Sequence, residues 1–136
     1  MDSVVLWRPD DLIPEELLDL DGWKWDENGV NVCLTNKHYR FVVHFEGQVL
    51  AFRTTLESMS LRFRDMYGEW RKRLHLNYAW TFFILKDSEY IKWFEEQHYG
   101  LYDDVQNKLI HYVLVTEDEI IEVLNDKEPI VTVEPI

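Results

Sequence analysis

The chain is predicted to fold as an α+β protein, with an antiparallel or mixed sheet of about five to seven strands and two main helices packed on it. Three patterns in its 136 residues support this class. Residues 39–46 alternate apolar and polar side chains, as a half-buried strand does. Residues 55–74 carry apolar side chains at steps of three and four, which is typical of an amphipathic helix. Residues 79–85 are apolar on both alternating faces, which indicates a strand inside the sheet.

The N-terminal segment is predicted to contain a short strand and a short helix. Residues 4–7 are apolar enough for a strand, which Pro9 ends. Pro14 suits the first position of a helix, because its missing N–H would have no helical partner there. Asp21 and Gly22 follow the last apolar residue, so this helix is expected to cover residues 14–20.

Two hairpins are expected next. Residues 23–25 and 30–34 read as strands, and the intervening Glu-Asn-Gly at 27–29 is a strong turn signal. Gly47 permits a tight reversal, so the alternating strand before it is expected to pair with residues 49–53 as an antiparallel hairpin.

Both main helices have start signals. Thr54 and Glu57 have the spacing of a capping box, which places the first helix at 55–74. Gly68 lowers the stability of that helix by about 1 kcal/mol relative to Ala and could break it. Asp87 or Ser88 can cap the second helix, over 88–98, whose apolar side is predicted to include Trp93.

The C-terminal third returns to strands. Residues 108–116 and 119–124 are expected to form a hairpin around the turn at 117–118, and 130–133 a last extended piece. No repeat, low-complexity tract or linker divides the chain, so residues 1–136 are predicted to form a single domain.

The charge balance is strongly acidic. The formal net charge is −12, although aromatic residues make up 15% of the chain. Since the aromatic residues can supply a core, the surplus carboxylates are expected at the surface. Residues 1–29 have a net charge of −7, residues 30–73 of +4 and residues 74–136 of −9. These charges form either ordinary solvated faces or one acidic surface, built from both ends, that meets a cationic partner.

Several classes of protein are excluded by composition. Nucleic-acid binding is not expected, because phosphate contacts require Lys and Arg and the basic run at 62–73 reads as a solvated helix flank. No apolar run approaches the ~18 residues of a membrane span, so no membrane partner is expected. A lone Cys33 and an N-terminus without a secretory signal favour a cytoplasmic protein.

No residue cluster specifies a reaction. The chain has no nucleophile elbow, no phosphate-binding glycine loop and no helical pair of metal ligands. We therefore predict no catalytic residue, no cofactor and no metal site. The alternative is a small-ligand-binding protein or enzyme with an aromatic pocket, in which His44 and His111 would lie on neighbouring strands.

The candidate binding residues combine carboxylates with aromatic side chains. Trp and Tyr with a charged surround resemble the anchors of protein interfaces, although the same residues could cover a sheet edge. The candidates for contact with a basic protein partner are Asp10, Asp11, Glu15, Glu16, Trp23, Trp25, Tyr99, Tyr102, Asp103, Asp104, Glu117 and Asp118.

The later part of the chain resembles a known group of proteins. The stretches Trp-Thr-Phe-Phe at 80–83, Ser-Glu-Tyr-Ile-Lys-Trp-Phe at 88–94, His-Tyr at 111–112 and Glu-Val-Leu at 122–124 carry the likeness. It is similar there to small uncharacterised bacterial proteins, some of which occur beside toxin genes and are suspected immunity proteins. This resemblance implies a bacterial cytosolic protein that neutralises a partner by binding, and it brings no catalytic residues with it.

The leading functional hypothesis is therefore a non-enzymatic acidic binding protein of the immunity or antitoxin type, which blocks a basic toxin. A third possibility is a homo-oligomeric module whose basic helix and acidic ends pair between subunits.

Overall fold

The computed structural model describes residues 3–47, 49–56, 61–98 and 109–136. Within these ranges the chain has nine strands and two helices, so the α+β class is confirmed and the predicted strand number was too low. In chain order they are β1 (Ser3–Leu6), β2 (Asp19–Asp26), β3 (Gly29–Thr35), β4 (Tyr39–Glu46), β5 (Ala51–Leu56), α1 (Leu61–Arg73), β6 (Phe82–Lys86), α2 (Glu89–His98), β7 (Ile110–Val115), β8 (Glu119–Asn125) and β9 (Ile130–Pro135).

The strands form two sheets rather than the one expected. The five-stranded sheet has the order β1-β6-β7-β8-β5, and the four-stranded sheet has the order β2-β3-β4-β9. All pairings between these strands are antiparallel. A parallel bridge between Leu18 and Thr116 joins the start of β2 to the turn between β7 and β8.

Aromatic side chains hold the two sheets together. Phe45 of the four-stranded sheet lies 5.3 Å from Tyr112 of the five-stranded sheet, measured between ring centroids. Trp7 contacts both Tyr112 and Phe82, at 5.0 and 5.4 Å. Phe45, Tyr112 and Phe82 are at most 1% exposed. Such rings bury a large apolar area each, so this layer provides much of the stabilisation of the fold.

The two helices cover the other face of the five-stranded sheet. Tyr67 and Trp70 of α1 contact Phe83, which neighbours an inward-facing Phe on β6 and so points to the opposite side. Tyr90 of α2 contacts His111 of β7. The layers are therefore helices, five-stranded sheet and four-stranded sheet, and β6 and β7 are covered on both faces, as the apolar run at 79–85 indicated.

The predicted hairpin between residues 39–46 and 49–53 was wrong. β4 pairs with β3 and β9, while β5 crosses to the other sheet and pairs with β8. Gly47 does adopt a positive φ of 79°, but the chain uses that turn to change sheets. The alternating pattern specifies which face of a strand is buried and leaves its partner open.

The predicted helix at 14–20 was also wrong. Leu18 is fully buried, its N–H donates to the hydroxyl of Thr81 over 3.0 Å, and its carbonyl accepts from the N–H of Glu117. These partners hold Leu18 in a β-bridge after a bend at residues 15 and 16, so tertiary contacts override the local helix signal, and β2 already begins at Asp19.

The first main helix is shorter than predicted. Residues up to Leu56 belong to β5, and α1 covers Leu61–Arg73 without interruption at Gly68. The hydroxyl of Thr54 donates to Glu119 on the neighbouring strand instead of capping a helix. The other half of the predicted capping box, Glu57, lies outside the described residues.

Several local predictions are confirmed. β2 and β3 form the first hairpin, β7 and β8 the last, and α2 begins directly after Ser88. The Ser88 hydroxyl oxygen accepts the N–H of Ile91 at 3.1 Å, which is an N-cap. Trp93, however, is 50% exposed rather than packed with the apolar side of α2. Neither described helix is long and apolar enough to cross a membrane.

Replacing Gly29 tests the turn between β2 and β3. A Cβ at this position would lie 2.0 Å from the carbonyl oxygen of Phe45, and the φ angle is +117°. We expect Gly29→Ala to lower the free energy of unfolding by about 2–3 kcal/mol, measured by urea denaturation. Gly22→Ala is the control, because a Cβ there meets no described atom within 4 Å. Equal effects of the two substitutions would contradict this account.

Replacing Thr81 tests the extended conformation before β2. Thr81→Val keeps the shape of the side chain but leaves the buried N–H of Leu18 without its acceptor. We expect the free energy of unfolding to fall by about 1–3 kcal/mol. The matched control is Thr132→Val on the exposed face of β9, which should change it by less than about 0.5 kcal/mol. If residues 14–20 formed a helix instead, the Thr81 variant would behave like the control.

Candidate partner-binding surface

Carboxylates from both ends of the chain meet in one cleft. The segment before β2 and the turn between β7 and β8 lie side by side, because the Leu18 carbonyl accepts the Glu117 N–H at 3.3 Å. A cleft of about 600 Å³ opens there, and its carboxylates are Glu16, Asp19 and Glu117, which we call the acidic cleft. The other lining residues are Leu17, Asn36, Lys37 and His38.

One carboxylate of the cleft is held by a hydrogen bond, and all three are exposed to solvent. The Asn36 amide nitrogen donates to Glu16 over 3.1 Å, and its oxygen accepts the N–H groups of His38 and Tyr39 at 2.9 and 2.8 Å. The turn before β4 therefore holds one carboxylate of the cleft in place. All three cleft carboxylates are exposed, so their charge acts through solvent and is screened by salt.

The predicted binding residues other than Trp23 and Trp25 fall into three groups. Glu16 and Glu117 line the acidic cleft, and their exposed neighbours Glu15 and Asp118 lie beside it along the chain. Asp10 instead stabilises its own loop, since its carboxylate accepts the N–H of Leu12 at 2.8 Å. Asp11 is exposed in that same loop and does not line the cleft. The remaining candidates, Tyr99, Tyr102, Asp103 and Asp104, lie outside the described residues.

Trp23 and Trp25, which we call the aromatic pair, lie further along β2. They are 44% and 48% exposed, and their ring centroids lie 4.7 and 5.9 Å from that of Phe52 on β5. β2 and β5 are edge strands of the two sheets, so this cluster lies at the open side of the sandwich. Trp23 is four residues from Asp19, or roughly 13 Å along a strand. The register shift between Leu20 and Gly22 pairs Asp19 with Thr35 but Trp23 with Val32, so Asp19 and the aromatic pair lie on the same edge strand but on opposite faces of the sheet.

Sequence reasoning missed two members of this surface. Asp19 was assigned to a helix, and Phe52 to a hairpin with β4. The position of Asp19 depends on the buried contact of Leu18, which no local pattern reveals. The apolar character of Phe52 indicated that it would be packed, but the strand that carries its two Trp neighbours is distant in sequence.

The histidines of the ligand-binding alternative do not converge. His44 lies on β4 in the four-stranded sheet, where its Nδ1 is 2.7 Å from the side-chain oxygen of Asn31. His111 lies on β7 in the five-stranded sheet and faces α2. The expected placement on neighbouring strands is therefore wrong, because two sheets separate the imidazoles.

His111 instead belongs to a buried polar network that the sequence did not suggest. Its Nε2 donates to Glu122 over 2.8 Å, and its Nδ1 lies 2.6 Å from the hydroxyl of Ser88. The Arg53 guanidinium donates twice to Glu122, over 2.6 and 2.9 Å, and stacks 3.8 Å above the ring of Tyr90. A charged residue within the apolar run of β8 was the available signal, since buried carboxylates are nearly always paired.

This network has the residue types of a hydrolase triad but is organised as a structural link. The Ser88 hydroxyl caps α2, and Ser88 and His111 are only 3% and 1% exposed. A substrate therefore has no access to either group in this conformation. Burial by itself would raise the pKa of Glu122, but the hydrogen bonds from His111 and Arg53 outweigh burial and lower this pKa to about 2. The network fastens α2 and β5 to the centre of the sheet.

Comparison of this chain with protein-family models, with curated proteins and with solved structures finds no match. The α+β sandwich, the acidic cleft and the aromatic pair are thus the features on which a function can be proposed.

The Glu122 network predicts a specific loss of stability in acid. Because the folded pKa of Glu122 lies below its ordinary 4.5, its ionised form stabilises the fold above pH 4.5, and this share is lost as the pH falls toward 2. We expect Glu122→Gln to lower the free energy of unfolding at pH 7 by about 3 kcal/mol, and the difference from wild type to shrink toward pH 2.

Denaturant unfolding between pH 2 and 7 measures this difference. Glu96→Gln, at an exposed position of α2, is the control and should stay within about 0.5 kcal/mol of wild type at each pH. A Glu122→Gln difference that does not vary with pH would show that the carboxylate charge is not the stabilising group.

Proposed function

We propose that this protein is a non-enzymatic binding protein that uses the acidic cleft and the aromatic pair to hold a basic protein partner. The observation that carries the proposal is the meeting of Glu16 and Glu117, from opposite ends of the chain, in a single exposed cleft. The distribution of charge along the sequence suggested such a surface, and the contact between the backbone segments that carry Glu16 and Glu117 supports it.

The two parts of the surface have different tasks. At a net charge of −12 the protein attracts cationic partners over a distance, and the exposed carboxylates of the cleft direct that attraction. The aromatic pair offers apolar area that a partner can bury, which slows dissociation once the complex has formed. Long-range charge therefore sets the association rate and the two Trp side chains set the lifetime.

The specific form that we propose is an immunity protein or antitoxin of a bacterial cytoplasm. A basic toxin that acts on nucleic acid has a cleft for phosphate groups, and an acidic surface can occupy that cleft in place of the substrate. The charge distribution and the resemblance of residues 80–124 support this form. Binding of a partner, and not turnover, is then the activity of the protein.

Charge-neutralising variants test the cleft. The cleft variant is Glu16→Gln, Asp19→Asn and Glu117→Gln, and the control variant, with the same net charge, is Asp65→Asn, Glu96→Gln and Glu128→Gln at exposed positions elsewhere. The partner is the protein that the immobilised wild-type chain captures from the native host, purified after identification by mass spectrometry.

We expect the association rate of the cleft variant to fall roughly tenfold at low salt, and its dependence on ionic strength to become shallower. The control variant should keep the rate within about threefold of wild type. Stopped-flow or surface-based kinetics across a salt series measure both quantities. An association rate that ignores salt, or two variants that behave alike, would falsify the role of the cleft, and sedimentation that finds only self-association would favour the homo-oligomeric alternative.

A further inference from the structure

The edge of the four-stranded sheet formed by β2 is the most open edge among the described strands. The edge strands are β1 and β5 in one sheet and β2 and β9 in the other. β2 is the longest, with eight residues against four for β1 and six each for β5 and β9. An edge strand leaves about every second N–H and C=O without a ladder partner, and these groups can pair with another chain.

The other features that protect sheet edges are weak along this part of β2. β9 contains Pro135, whose ring nitrogen cannot donate, whereas β2 has no proline. The register of β2 shifts between Leu20 and Gly22 and is regular from there to Asp26. Lys24 could discourage pairing, but its ammonium lies 3.5 Å from a carboxylate oxygen of Asp26 on the same strand. Five regular residues, 22–26, are therefore available.

The aromatic pair lies within these five residues and is only half covered. Phe52 contacts one side of both rings, and 44% and 48% of the two residues remain exposed. A strand added beside β2 would continue the sheet next to those rings and cover them from the open side. Main-chain hydrogen bonds and aromatic burial would then be gained in one step.

The net charge of the protein and the indole rings at this edge favour a basic added strand. β2 itself carries Asp19, Asp21 and Asp26 against Lys24, and its first residue lines the acidic cleft. Asp21 and Asp26 already face cations, Arg40 of β4 at 3.8 Å and Lys24 at 3.5 Å. An extended segment with Arg or Lys at alternate positions is attracted by the net charge of −12 and places those side chains on one face of the sheet, the face of the aromatic pair. Arg suits this face, because its guanidinium stacks on Trp rings.

We propose that an extended basic segment of the partner adds to the edge of β2 at residues 22–26 as a fifth strand of the four-stranded sheet, with alternate basic side chains on the face of the aromatic pair. This inference rests on the proposed function, since it names the form in which the basic partner binds. It goes further in assigning the recognition to the backbone of β2 as well as to side-chain charge.

Two peptides separate backbone pairing from charge. The probe is a blocked peptide of about ten residues that alternates Arg and Thr, and the control alternates Arg and Pro, which has the same charge but cannot form a regular strand. Amide hydrogen exchange of the ¹⁵N-labelled protein, followed by NMR, reports on each edge. With the Arg-Thr peptide we expect exchange to slow about tenfold or more at those N–H groups of residues 22–26 that point away from β3, with no such change with the Arg-Pro peptide or at the β9 edge.

A pair of variants tests the aromatic contribution. Trp23→Thr with Trp25→Thr keeps residues that favour strands and removes the rings, and we expect it to weaken the binding of the Arg-Thr peptide about tenfold. Trp93→Ala on α2 removes a similarly exposed ring and should leave the affinity unchanged. Equal loss in both variants would overturn the assignment of the aromatic pair to the binding edge.

The remaining outcomes distinguish this inference from the proposed function. If both peptides bind equally and residues 22–26 stay unprotected, strand addition is wrong while charge-based binding by the acidic cleft stands. If neither peptide binds, strand addition is likewise overturned. The proposed function is then still tested by the association rate of the captured partner with the cleft variant. If residues 22–26 become protected with rising protein concentration and no peptide, the occupant is a second copy of this chain and not a basic partner.

Discussion

The face-to-face packing of two sheets through aromatic rings is the interaction on which the rest of the structure depends. Tyr112 lies between Phe45 of one sheet and Trp7 of the segment after β1. Trp80 donates its indole N–H to the carbonyl of Trp7 over 3.0 Å, which fixes that segment against the sheet. Because these side chains are buried and mutually packed, the relative position of the sheets is set, and with it the position of the described turns at their ends.

The candidate binding surface is a consequence of this packing. The acidic cleft exists because Leu18 is buried under the end of the five-stranded sheet, which draws Glu16 and Asp19 toward Glu117. The aromatic pair is half exposed because β2 and β5 are both edge strands on the same side of the sandwich. The carboxylate of Asp19 at one end of β2 and the indoles along its length thus lie on one edge strand, on opposite faces of the sheet.

The buried network of Glu122 stabilises the packing of α2 and β5 and does not contribute to the candidate binding surface. A carboxylate in the middle of β8 would destabilise the sheet if unpaired. Arg53 compensates its charge, and Arg53 and His111 both form hydrogen bonds to it. Through the hydroxyl of Ser88 the same network reaches the first turn of α2. The combination of Ser, His and Glu that would suggest catalysis in a sequence is used here to fasten a helix to a sheet.

Local elements followed from the sequence wherever neighbouring residues interact with one another. The cap of α2, the turn at Gly29 and the hairpin of β7 and β8 are short-range features, and they were predicted from residue type and spacing alone. The division into two sheets, the extended segment before β2 and the meeting of Glu16 with Glu117 depend on contacts between residues far apart in the chain. An alternating pattern of apolar and polar residues indicates which face of a strand is buried, but not which strand lies beside it. The sequence by itself therefore determined the local elements and the surplus of negative charge. Only the tertiary packing decided where that charge gathers.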